Sequence, residues 1–155
     1  MTLYFILKYL HVLGAIVILG TGTGIAFFLL MAHRSGDVAY IARTATTAVV
    51  ADFVFTTTAV IVQPFTGFAL MNLTSASPSD PWLTASLALY VIAGLFWIPV
   101  VFMQIEMRDI ARIAATRGEA LPPRYALLFR RWFLFGIPGF GSVMAILWLM
   151  IAKPV

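Results

Sequence analysis

The sequence predicts an all-α integral membrane protein, a four-helix bundle running up-down-up-down with both termini on the outer side. Three observations predict it. Only 10% of the 155 residues are charged and 62% are hydrophobic, whereas a soluble domain of this size carries about a quarter charged residues. Four apolar runs, at 3–32, 46–71, 82–107 and 126–152, each reach the roughly 20 residues that a helix needs to cross a bilayer. The cations are also divided unequally between the connecting segments.

Taken in order, the first run carries His11 and glycines at 14, 20, 22 and 24. It is too long for the apolar core of a signal peptide, and no basic segment precedes it. The link "HRSGDVAYIART" leads to the second run, and "NLTSASPSDP" leads to the third. In the latter, Asn, Ser, Pro and Asp compete with helical hydrogen bonding and make a turn. The third helix continues amphipathically to about residue 117. Gly118 is placed to stop it, and Pro122–Pro123 bars a continuous helix into the fourth run. Pro138, within "FGIPGFGS", is expected to kink the fourth helix. Residues 1–155 form one transmembrane domain.

Eight arginines (34, 43, 108, 112, 117, 124, 130 and 131) flank the first and third links, against Lys8 and Lys153 at the opposite side. Positive charge collects on the cytoplasmic side, so the termini face away from it. The expected setting is a multi-pass protein of the bacterial inner membrane, with the lipid bilayer as its main partner. The cations flank apolar runs and read as membrane anchors, with no nucleic-acid partner. With no cysteine, this chain alone makes no disulfide, thiolate metal site or iron–sulfur cluster.

Polar side chains inside a span face protein or a cavity, because lipid cannot satisfy them. Helical spacing puts His11, Gly14, Ala15, Ile18 and Gly22 on one face. Asp52, Thr56, Ala59, Gln63 and Thr66 share a second, and Ser86, Tyr90, Ala93, Trp97 and Gln104 a third. Two polar layers are expected. The outer one gathers around His11 with Gln63, Thr66, Ser86 and Tyr90. The inner one holds Asp52, Gln104 and the Arg130–Arg131 pair, with an arginine as ion partner for Asp52, and could shape a proton or quinone path. Pro64 frees the carbonyl of Val60, and the Gln63 amide is available to repair it.

His11 has two readings: a hydrogen bond to Tyr90 or Gln63 that holds helices together, or a ligand role. Small neighbours at Gly14, Ala15 and Gly22 suit a porphyrin plane or, equally, a second helix. Haem iron commonly takes an axial histidine. His11 and His33 lie on one helix about 33 Å apart at 1.5 Å per residue, so they cannot share an iron within a chain. A bis-histidine haem would need a second copy or a partner subunit. Lys8, within a turn of His11, is placed to pair with propionates.

The stretches "YLHVLGA", "QPFTGFALM", "WLTASLALYV" and "WIPVVFMQIEMRDIA" together resemble a family of bacterial integral membrane proteins of unknown function, over nearly the whole chain. That family is grouped distantly with copper-resistance protein D and with the four-helix, haem-binding protoporphyrinogen oxidase of bacteria. The resemblance implies that His11, in its "LH" setting, is a haem ligand. The oxidase also carries a lysine shortly after a tryptophan at the start of a later helix. Ser86 stands there in this chain, and serine is a poor iron ligand. The resemblance therefore carries haem binding through His11 and not the oxidase chemistry.

The leading expectation is a haem-b-binding redox or electron-transfer component. His11 would be its axial ligand, with Gly14, Lys8, Tyr90 and Gln63 around it. Copper handling is the alternative, with His11 and methionines such as Met71, Met144 or Met150 taking Cu(I). A third reading is an accessory subunit, as a homo-oligomer or within a larger respiratory complex.

Overall fold

The computed structural model describes residues 2–74 and 76–154. Among them every regular element is helical. The order is α1 (Thr2–Ser35), α2 (Val38–Ala51), a π-helical segment (Asp52–Thr57), α3 (Thr58–Leu73), α4 (Pro81–Arg117) and α5 (Pro123–Ala152). α2, the π segment and α3 form one continuous rod, so four helices are long and apolar enough to cross a membrane. Large apolar side chains such as Phe65, Leu95, Trp148 and Ile151 point outward. In water such a belt would be a liability, and in lipid it is the matching surface.

The second rod begins eight residues before the apolar run that marks it in the sequence. Gly36 takes a positive φ of 70°, and Asp37 caps the new helix by accepting the N–H of Tyr40 at 3.0 Å. Such a cap satisfies an amide left free at a helix start. From there Ile41, Ala42, Ala45, Ala48 and Val49 are buried in helical register. Tyr40, Arg43 and Thr44 lower the local hydropathy, which disguises one amphipathic helix as a loop. At the other link, Gly118 takes a φ of 66° and ends α4. Its N–H bonds the carbonyl of Ala115, and that of Glu119 the carbonyl of Ala114, a glycine C-cap. Pro123 then opens α5 at a position where the missing N–H costs nothing. α5 stays helical through Pro138.

Neighbouring rods run antiparallel. His11 meets Thr66, Asp52 meets Trp97, and Gln104 meets Trp132. The well-filled core lies at the arginine-bearing end. Leu29, Ala32, Ile41, Ala45, Met107, Ala111, Tyr125 and Trp132 interlock there. Ala32 and Ala111 are 0% exposed; they let helix backbones approach closely, which is how packing is won where lipid provides no hydrophobic drive between helices. Toward the termini the buried residues become small and polar: Ala59, Thr66, Ser86, Ala93 and Ser142. In that half α1 rests on α3 and α4 rests on α5.

Because Ala111 has no free space, Ala111→Leu should lower stability in detergent by about 1–3 kcal/mol through overpacking. Gly22, with open space around its Cβ position, should accept alanine without loss. Thermal unfolding followed by circular dichroism checks both.

Candidate functional site

Two glycines bring α1 and α3 together reciprocally. A Cβ added at Gly14 would stand 3.0 Å from Gln63 Oε1, and one added at Gly67 would stand 3.4 Å from His11 Cε1. Each helix thus places a polar side chain into a notch that the other leaves open. The notch at Gly14, expected to accept a flat ligand, is filled by Gln63. Gly20, Gly22 and Gly24 meet nothing within 4 Å, and their face stays open.

In this contact His11 Nδ1 lies 2.9 Å from Thr66 Oγ1. Neither Tyr90 nor Gln63 takes the role of side-chain partner. Thr66 Oγ1 is also 3.0 Å from the carbonyl of Gln63 and 3.2 Å from that of Val62. A hydroxyl has one proton to give and two lone pairs. If a carbonyl receives that proton, the oxygen accepts from Nδ1–H and leaves Nε2 as the basic nitrogen. The backbone of Gln63 also hydrogen-bonds the ring, no side chain bonds Nε2 among the described residues, and the ring is only half-buried.

The repair at Pro64 is made from another helix. Tyr90 Oη donates to the carbonyl of Val60, the acceptor that Pro64 leaves without its helical N–H. Gln63 does not provide it, and its Oε1 is buried without a partner among the described residues. Tyr90 therefore ties α4 to α3 and spends its hydroxyl there. Lys8 is exposed, with its ammonium 5.7 Å from the Tyr4 ring centre. Of the residues singled out around His11, Gly14 and Gln63 join it, with Thr66. Gly67 was missed; the signal for it was a small residue four positions after Gln63, on the face that meets α1.

The expected inner layer divides into separate sites. Asp52 Oδ1 receives the indole N–H of Trp97 at 3.5 Å, and among the described residues no arginine pairs with it. Its other oxygen and the hydroxyl of Thr56, one turn on, face each other without closing a short hydrogen bond. Seven residues beyond Trp97 on α4, about 10 Å along the helix, Gln104 Oε1 receives Trp132 Nε1–H at 2.8 Å. Arg131 is exposed. Nearer the arginine end, His33 stacks on Phe129 with ring centres 3.9 Å apart.

No group of three or more His, Asp or Glu side chains is placed to hold a metal among the described residues. Met144, one of the soft donors considered for copper, lines a lateral groove with Gly20, Gly24 and Phe140.

Residues 5–154 match the family described as "Predicted integral membrane protein (DUF2269)", and the chain belongs to that family. No curated protein and no solved structure matches it.

The tie between Tyr90 and Val60 should be coupled to Pro64. Tyr90→Phe should cost about 0.6–2 kcal/mol with Pro64 present. In a Pro64→Ala background the cost should shrink, because residue 64 then supplies its own N–H to Val60. A double-mutant cycle on detergent unfolding reads the coupling.

Proposed function

We propose that this family member is a haem-b-binding redox or electron-transfer component of the bacterial inner membrane, with His11 as axial ligand. It would cross the bilayer up-down-up-down, with the arginine end in the cytoplasm and both termini outside, as the division of cations favours. One observation carries the ligand role: Thr66 Oγ1 stands 2.9 Å from Nδ1, and no side chain bonds Nε2 among the described residues. Metal-bound histidines characteristically have the second nitrogen tied to an oxygen, which fixes the tautomer and raises the basicity of the ligating nitrogen. An imidazole needed only to hold two helices together gains nothing from leaving Nε2 bare.

The residues present fit haem through this imidazole. Gln63 occupies the notch at Gly14, so the macrocycle does not lie there. Lys8, exposed within a turn of His11, would pair with a propionate, and Tyr90, which bonds Val60, is left out of the site. Bound haem would supply one-electron chemistry. The chain's own part is to present Nε2, to hold the ring through Thr66 and to keep bulk water away. A second histidine ligand would come from a second copy or a partner subunit, since His33 lies about 33 Å along α1.

The visible spectrum of the detergent-purified full chain after haem loading tests this. A Soret band is expected, at one haem per chain with a single His11 ligand or one per two chains if a second copy supplies the other histidine, and it should vanish in His11→Ala. Thr66→Val should weaken haem binding by roughly 10-fold or more, while Thr66→Ser keeps it. Stoichiometric copper without a Soret band would overturn this reading in favour of copper handling. Colourless, metal-free protein travelling with larger membrane partners would overturn it in favour of an accessory subunit.

A further inference from the structure

Among the described residues, five buried side-chain polar atoms have no hydrogen-bond partner, and four of them follow one another through the arginine half of the bundle: Asp52 Oδ2, Thr56 Oγ1, Gln104 Nε2 and His33 Nδ1. Asp52 and Thr56 are each 5% exposed. In hydrocarbon an unmet polar atom has no solvent to bond it and is strongly disfavoured. Consecutive unmet atoms within one otherwise close-packed half therefore point to something small that enters and satisfies them. Water is that molecule: it bonds buried polar groups that protein leaves free.

The residues that carry these atoms are connected through aromatic neighbours. Asp52 bonds Trp97, and Gln104 stands two helical turns from Trp97 on the same face of α4. Gln104 bonds Trp132, Trp132 packs on Phe129, and Phe129 stacks on His33. The start of this line is the end of the bundle where α1 and α2 meet. Its far end is a carboxyl in the middle of the second rod, where the backbone widens to π-helical bonding. There Thr57 Oγ1 donates five residues back to the carbonyl of Asp52. π-helical turns inside longer helices are frequent at functional sites.

We propose that Asp52 is a proton-binding site inside the membrane, filled and emptied from the arginine end along a water-bridged route past His33 and Gln104. One proton moves from water onto the carboxylate and returns the same way, so no other reactant is needed. Thr56 and Trp97 face the carboxyl. The π segment also packs against α1, α2 and α3, and among the described residues none of these helices puts an ion partner on it. The titratable side chains on those helices and on α4 are spoken for or lie outside the spans' interior. His11 is bonded to Thr66, Tyr90 to Val60, and Tyr40 and Arg43 sit in the first turns of α2. At the entrance, His33 faces Tyr125 and Phe129 of α5, with Arg34 next to it in the chain. This proposal does not rest on haem binding; a colourless protein would leave it standing.

Infrared spectroscopy of the full chain in lipid vesicles tests it. The difference spectrum between wild type and Asp52→Asn should hold the carbonyl band of a protonated carboxyl, and the band should shift in heavy water, which shows that the proton exchanges. Dicyclohexylcarbodiimide, an apolar reagent for protonated carboxyls, should label Asp52 more as pH falls. The adduct should be lost in Asp52→Asn and kept in Asp52→Glu. Gln104→Leu, which leaves the carboxyl in place, should slow the heavy-water shift. A carboxylate band alone with no adduct at acidic, neutral or alkaline pH would overturn the proton site. Unchanged exchange in Gln104→Leu would overturn the route.

Discussion

Hydrocarbon offers no hydrogen bonds, and that constraint organises this protein. Every polar atom within the spans has to be met by another part of the chain or by something the chain admits. Pro64 shows the rule at its smallest scale. Its ring removes one N–H from α3, the carbonyl of Val60 is left without a donor, and Tyr90 arrives from α4 to provide one. The same rule sets the Thr66 hydroxyl between two carbonyls of its own helix, either of which can take its proton, and the ring of His11. It also makes the unmet atoms at Asp52, Thr56 and Gln104 informative.

The two halves of the bundle obey this rule differently. At the arginine end, alanines at 32, 45 and 111 bring backbones together, and Tyr125, Trp132 and Leu29 fill what remains. The exposed pair Arg124–Glu106 joins α4 to α5 there, and being in solvent it adds little. Toward the termini, glycine notches and single polar bonds replace the packed core. The imidazole and the most tightly packed core therefore lie at different levels of the molecule. The imidazole sits in the loosely filled half, where a ligand can approach it. The carboxyl sits where the two halves join.

His11 and Asp52 were both visible in the sequence because an ionisable residue in an apolar run stands out. Their partners were not. An arginine was expected at Asp52, since a charge in lipid calls for an opposite charge; the neighbour is Trp97, whose place depends on how far α4 slides along the second rod. Tyr90 or Gln63 was expected at His11, and Thr66 stands there. Gln63 and Thr66 share a helical face one turn apart, and periodicity cannot choose between them; Tyr90 lies on another helix and bonds Val60.

The sequence by itself determined the four apolar rods, their chain order, the stop at Gly118 and the crowding of arginine at one end. These follow from composition and period, which are properties of each segment alone. Only the tertiary structure decided that the second rod starts at Val38, that Gln63 fills the notch at Gly14, and that Thr66 stands beside Nδ1 of His11. Those outcomes depend on the axial register of one helix against another. In lipid that register is set by close packing and a few hydrogen bonds between helices, which no single segment encodes.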